Sequence, residues 1–341
     1  KAEEREELSE EVERLRGEVG AERRFRNIVL QSEAMKSAAE RAERAARHPT
    51  TVLITGESGT GKELIARLIH ESSPRHDAPF VAVNCGAIPE NLLESELFGH
   101  TAGAFTGAEE DRAGLFEAAS EGTLFLDEIA ELPEKLQVKL FRALQEGEIR
   151  RVGESAARSV NSRIVASTAR DLEDLVQEGE FREELYYRIN VVRIHLPPLR
   201  HRTEDIPPLV EHFVNEFNEE LRLSVEGFQA EARRALMKYD WPGNVRELEN
   251  VVERAMVLSD GPEITGPDVR EALPGPEQRL EKELESLPPD ELSVKKHTAR
   301  LEKRLIRRAL EVTGGNRTEA AELVDLSYRA LLYKIRDYDL E

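Results

Sequence analysis

The sequence is poor in cysteine, in long apolar runs and in positive charge, and each shortage excludes something. One cysteine, Cys85, stands in 341 residues. It cannot close an internal disulfide, which excludes the disulfide-stapled secreted class and points to a reducing, cytoplasmic compartment. No apolar run approaches the ~18 residues of a membrane span, so an integral helical membrane protein is excluded. Lysine and arginine total 48 against 68 acidic residues, a net charge of −20. Such a body repels phosphate and does not bind nucleic acid non-specifically. The shortage ends at the C-terminus: residues 295–341 hold 11 Lys/Arg against 8 Asp/Glu, so any contact with DNA falls to that tail. The first residue is Lys1, with no signal-peptide pattern behind it, which reads as a fragment of a longer chain.

At roughly 150 residues per domain the length allows two or three domains. In residues 1–22, Leu8, Val12, Leu15 and Val19 recur at the spacing of a coiled-coil seam, the alternative being a solvated helical linker. From 23 to 201, short β-rich runs (51–54, 80–83, 123–126, 163–166 and 191–194) alternate with helical stretches. Near-continuous apolar strands alternating with helices predict a parallel sheet covered on both faces. Residues 202–273 carry no strand signal and read as an all-helical subdomain, 274–294 as a polar linker, and 295–341 as a small helical domain.

Gly56-Glu57-Ser58-Gly59-Thr60-Gly61-Lys62 follows the first strand and opens a helix, the setting a phosphate-binding loop requires. Its glycines let backbone N–H groups face the phosphates, the helix start adds partial positive charge, and Lys62 reaches the β- and γ-phosphates. The next residue is Glu63 where the general pattern has Ser or Thr, so the hydroxyl that usually ligates Mg²⁺ is missing. A second strand ends in Asp127-Glu128. The first carboxylate is placed to serve Mg²⁺ and the second to activate water, so the pair points to ATP hydrolysis rather than to binding alone. Hydrolysis also needs positive charge at the γ-phosphate, often from a neighbouring subunit. Arg182, Arg188 and Arg246 are candidates, although spacing alone reads each first as a surface ion-pair arginine.

Gly103-Ala104-Phe105-Thr106-Gly107-Ala108, preceded by Glu94-Ser95-Glu96-Leu97-Phe98-Gly99-His100, resembles the signature of the NtrC-like enhancer-binding proteins, activators of sigma-54 RNA polymerase. The resemblance runs from about Phe25 to Leu273 and resumes at the C-terminus. It implies an AAA+ P-loop core with a helical lid, α/β in class, followed by an all-α helix-turn-helix domain. It also implies a dimer that assembles into a hexameric or heptameric ring with ATP between subunits. By it, Arg182 and Arg188 match trans-acting arginines, and Arg246 matches the lid's nucleotide-sensing arginine. Asn84 would be the switch asparagine paired with Glu128, and Phe105 and Thr106 the loop tip on sigma-54, with 153–159 the loop beside it. One departure stands in the first sensor stretch: Ala169 replaces the family's Asn or His, leaving Thr168 as a partial substitute.

In the tail, a Gly314-Gly315-Asn316 break and the capping residue Ser327 separate three helical stretches, the pattern of a helix-turn-helix. It resembles the Fis-like domain of these activators. That implies double-stranded DNA as a partner, with Arg317 and Thr318 on phosphates and Tyr328, Arg329 and Lys334 toward the major groove. The resemblance as a whole implies an activator that uses ATP to convert sigma-54 holoenzyme from closed to open complexes from upstream sites. The family's regulatory domain, a receiver where a two-component system is the input, would precede residue 1.

Overall fold

The computed structural model describes residues 29–105, 107–275 and 293–338. The coiled-coil reading of 1–22, Thr106 and most of the 274–294 linker lie outside the described residues. The chain divides into two compact units, meeting at Leu273 and Pro274.

The first unit is built on a five-stranded parallel sheet: β1 (Val52–Thr55), β2 (Phe80–Asn84), β3 (Thr123–Asp127), β4 (Arg163–Thr168) and β5 (Val192–His195), in the order β2-β3-β4-β1-β5. Successive side chains point to opposite faces, and both faces are covered. On one, Leu53, Val83, Leu124, Leu126, Ile164 and Ala166 form a core cluster. Packed there are α3 (Glu90–Phe98), α4 (Leu115–Ala118), α5 (Glu134–Glu146), α6 (Leu172–Glu178) and α7 (Glu183–Ile189). On the other, Val52, Ile54, Phe125, Val165 and Ile194 meet α1 (Glu33–Ala46) and α2 (Lys62–Glu71). Ser32 caps α1 through the Met35 N–H, and the buried Arg163 guanidinium donates to the carbonyls of Ala45 and Ala46 at its far end, 2.8 Å each.

The lid comprises α8 (Ile206–Leu221), α9 (Ala230–Lys238), α10 (Asn244–Leu258) and α11 (Gly266–Ala272) around the buried Trp241, whose Nε1–H donates to the Leu236 carbonyl. The all-helical expectation needs one amendment. Gly227–Phe228 and Glu263–Ile264 form a two-residue parallel pair, too short to leave an alternating pattern in the sequence.

The second unit packs α12 (Val294–Val312), α13 (Arg317–Leu323) and α14 (Tyr328–Asp337) around six buried residues: Ile306, Ala309, Ala320, Ala321, Leu331 and Ile335. Asn316 and Ser327 cap the two short helices, and the turn between them passes through Asp325 at φ 51°. Leu305, Val312 and Leu323 are exposed.

Candidate functional site

The phosphate-binding loop runs from β1 into α2, with Gly59 and Gly61 in the left-handed region (φ 76° and 101°). The Lys62 side chain is folded under it: Nζ donates to the carbonyls of Gly56 (3.0 Å) and Glu57 (3.4 Å) and pairs with Glu128 Oε1 at 3.2 Å. The Glu63 side chain turns away from Lys62. Its carboxylate pairs with Arg67 one turn along α2, at 2.9 Å, so any contact of residue 63 with a cofactor would come from its backbone N–H.

The lid grips this loop at four successive residues. Arg200 holds Glu57 through both carboxylate oxygens (2.8 and 2.5 Å), which keeps that carboxyl below its ordinary range. Asn244 Nδ2 donates to Glu57 Oε2 and to the Ser58 carbonyl, and Arg246 donates to Ser58 Oγ at 3.3 Å, which places Arg246 against the loop. The Val245 N–H donates to the Gly59 carbonyl (2.9 Å), and Arg202 to that of Thr60 (2.8 Å). A Cβ on Gly59 would lie 2.3 Å from the Gly243 carbonyl oxygen, so only glycine allows this approach. Arg200, Arg202 and Asn244 were not among the residues singled out from sequence. The available signals were the charge-rich run 200–205 behind β5 and an asparagine before the α10 pattern.

The two carboxylates leave β3 in different directions. Parallel register sets Asn84 beside Asp127, and Asn84 Nδ2 donates to Asp127 Oδ2 at 3.0 Å. Glu128 then turns out of the strand at φ 50°. The expected Asn84–Glu128 pair is therefore corrected: strand register gives Asn84 to the aspartate. Asn84 Oδ1 accepts from the N–H groups of Gly86 and Ala87, folding the connection from β2 to α3. The other oxygen of Asp127 accepts from Ser167 Oγ, a contact absent from the sequence reading. Glu128 Oε2 accepts from the Ala169 backbone N–H at 3.1 Å, so this position reaches the carboxylate without a polar side chain. Thr168 does not substitute for it: its hydroxyl is closed in a turn with the backbone of Arg170.

Cys85 is buried behind this acidic pair, and burial together with the charges of Asp127 and Glu128 pushes its thiol up to about 12. The thiolate is the reactive form. Ellman's reagent is therefore expected to leave the folded chain unlabelled at pH 8 and to titrate one thiol in denaturant; rapid native labelling would mean this region opens.

Arg182 and Arg188 bracket α7. Arg182 pairs with Glu134 (3.4 Å) and Glu184 (3.6 Å), and Arg188 donates to the Leu144 carbonyl (2.7 Å). Neither touches the phosphate-binding loop, Asp127 or Glu128 of its own chain.

The Gly103–Ala108 loop projects beyond α3 from an antiparallel pair, Gly99–His100 with Arg112–Ala113. Gly103 and Gly107 are left-handed (φ 78° and 104°), and the Gly103 N–H to Ala108 carbonyl bond (2.8 Å) closes the neck. Phe105 is 40% exposed, with its ring 5.0 Å from that of His100. The 153–159 loop is braced against it. Thr101 and Val152 share a backbone hydrogen bond, and a Cβ on Gly153 would come within 2.8 Å of Ala104 Cβ.

In the second unit, Arg317, Thr318, Tyr328 and Arg329 are exposed. Lys334 is engaged within the unit. It pairs with Glu302 on α12 at 2.5 Å, which raises the lysine and lowers the glutamate from their ordinary values. Tyr333 and Arg336, with Arg329, make the outward stripe of α14 at i, i+4 and i+7.

Three family models match the sequence: "Sigma-54 interaction domain" over residues 28–195, "AAA+ ATPase lid domain" over 200–286 and "Bacterial regulatory protein, Fis family" over 298–338. Regulatory protein AtoC of Escherichia coli (strain K12) is 46% identical over 334 residues, 98% of this chain and 72% of that protein. Transcriptional regulatory protein ZraR of Klebsiella oxytoca is 48% identical over 308 residues, 90% and 68% respectively. Among solved structures, NtrX from Brucella abortus in complex with ATP superposes with a TM-score of 0.68 at 36% identity, covering 96% of this chain and 73% of that one.

Proposed function

The chain belongs to the NtrC-like family of sigma-54-dependent transcriptional regulators, and from that premise we propose that it hydrolyses ATP to remodel sigma-54 RNA polymerase from a closed to an open complex. Its ATPase-type domain, helical lid and Fis-type domain are the family's parts. We read 23–201 as ATPase core, 202–273 as lid and 295–341 as the DNA-binding domain. No helix among the described residues is long and apolar enough to cross a membrane, and the work assigned here is cytoplasmic.

One connection carries the reading: the acidic pair and the exposed loop are joined through Asn84. Its amide sits on Asp127 and its carbonyl folds Gly86 and Ala87, three residues before α3, whose far end leads into the Phe105 loop. A change in what Asp127 binds therefore displaces one end of a rigid helix that carries the loop tip on the other. That is a two-state element biased by ligand occupancy.

The residues present fit Mg²⁺. Asp127 offers the hard oxygen donors that Mg²⁺ prefers and would hold the ion, with water and the phosphates of the nucleotide supplying its other ligands. Held by Asp127, the ion would supply neutralisation of charge on the phosphates. Lys62 exchanges its Glu128 partner for the β- and γ-phosphates, freeing Oε1. Glu128, still held by the Ala169 N–H, accepts the proton of the attacking water. The phosphate-binding loop (56–62) and Arg246 hold the nucleotide. Arg182 and Arg188 reach the site of the next subunit in a hexameric or heptameric ring, a role supported by their distance in contacts from their own. The Gly103–Ala108 loop with Phe105 and Thr106 touches sigma-54. Arg317 and Thr318 face DNA phosphates, while Tyr328 and Arg329 read bases. Exposed Leu305, Val312 and Leu323 beside so small a core favour a dimer of this domain.

The test mixes the protein with purified sigma-54 and ADP–aluminium fluoride, a mimic of the transferring phosphoryl group, on a native gel. A stable complex is expected, and Phe105→Ala should abolish it while keeping ATPase activity. No complex from a protein that hydrolyses ATP would replace the activator with a regulator that has lost sigma-54 contact.

A further inference from the structure

A buried ion pair behind the phosphate-binding loop ties that loop to the start of α1. Asp205, fully buried before α8, accepts from the N–H groups of Gln31 (3.1 Å) and Ser32 (2.6 Å) and from Ser32 Oγ (2.8 Å). Arg202, also buried, faces the same carboxylate at 3.5 Å and donates its other terminal nitrogen to the Thr60 carbonyl at 2.8 Å. Thr60 lies within the phosphate-binding loop, two residues before Lys62. A continuous chain of polar contacts thus runs from the start of α1, through the lid, into the loop. The segment ahead of it is pinned on both sides: Val29 packs into the lid core and Leu30 into the core beneath the sheet.

Stability alone does not account for this arrangement. Two charges taken out of water lose hydration that their mutual attraction only partly returns, so a buried pair is a poor stabiliser compared with apolar side chains of the same volume. The Arg202 Nε has no hydrogen-bond partner among the described residues, which adds to that cost. What the pair supplies is position. Asp205 can satisfy its two oxygens only if Ser32 stands in its cap geometry, and Arg202 can hold Thr60 only from where Asp205 and its own turn place it.

Accepting the reading of 56–62 as the ATP site, we infer that Ser32, Asp205 and Arg202 are positioning residues for that site. Through them the segment arriving at residue 29 sets the shape of the phosphate-binding loop. Displacement of that segment withdraws Ser32 from Asp205, loosens Arg202 and lets the Thr60 carbonyl turn, altering the direction of the N–H groups that face phosphate. Nucleotide affinity is thereby coupled to whatever acts on the chain upstream of α1.

Binding of N-methylanthraniloyl-ADP to the full chain, followed by fluorescence, tests this together with thermal unfolding. Ser32→Ala should weaken binding by about 5-fold or more, the lower end of measured coupling between sites, and Ser32→Thr, which keeps the hydroxyl, should restore it. Thr265→Ala removes the equivalent cap from lid helix α11 and should lower the melting temperature with no change in affinity. In an Arg202→Met background, Ser32→Ala should add nothing further, because the relay is already cut. Unchanged affinity in Ser32→Ala, or additive losses in the double variant, would overturn the relay and leave the ATP site intact. A wild-type chain that binds no nucleotide would overturn the ATP site itself, and the relay with it.

Discussion

Arg182→Ala and Arg188→Ala are each expected to lower the ATPase rate by about 10³–10⁵-fold, the worth of an arginine delivered to a transferring phosphoryl group. Within its own chain each makes only peripheral contacts: a glutamate pair for Arg182, a helix-end carbonyl for Arg188. Their loss should therefore barely alter the fold, exposed pairs of this kind being worth about 0–1 kcal/mol. Mixing two inactive variants decides between chains. Lys62→Ala lacks the phosphate lysine but still offers Arg182 to a neighbour; Arg182→Ala lacks the arginine but keeps its own loop. Mixed rings should regain activity that neither variant has alone, and wild-type specific activity should climb with concentration as rings form. No recovery on mixing, with assembly confirmed by light scattering, would return both arginines to surface ion pairing.

The second large effect separates binding from turnover. Glu128→Gln should bind ATP at close to wild-type affinity and turn it over about 10²–10⁴-fold more slowly, the usual contribution of a positioned general base. That loss is roughly 3–5 kcal/mol of barrier. Glutamine keeps the size and the acceptor for the Ala169 N–H, so the backbone turn at residue 128 survives; it has no charge for Lys62 and no capacity to take a proton. Lys62→Ala should instead lose nucleotide affinity by about 100-fold or more, since it removes a buried cation from a phosphate site and leaves Glu128 without its partner. Equal turnover in wild type and Glu128→Gln would sink the assignment of the base.

The contrast between these residues and the ones corrected above marks where sequence stops informing. All five strands lie within two residues of their sequence-derived positions, because parallel strands buried on both faces are read from apolar runs alone. The phosphate-binding loop and the Asp127-Glu128 step were legible for a similar reason: a local motif needs only local context. Partners were not. Asn84 was recognised, but whether it meets Asp127 or Glu128 depends on strand register and on a single left-handed residue. Ser167 and Thr168 are neighbours with opposite fates, one on the aspartate and one closed on its own turn, and composition does not separate them. Glu63 and Lys334 carry charges that the fold commits elsewhere. The Asp205–Ser32 contact spans 173 positions, a separation at which no periodicity survives.

The contact between Gly59 and Gly243 acts as a joint without play. Most hinged domains meet through side chains that can change rotamer, so one part travels some distance before the other responds. Here two stretches of bare backbone touch, bonded directly by the Val245 N–H to the Gly59 carbonyl. A methyl group on Gly59 would not fit between them, and tilting the lid away would break that hydrogen bond. In the proposed ATPase cycle, a tilt of the lid would therefore be felt directly by the phosphate-binding loop, at the point where the two glycines meet.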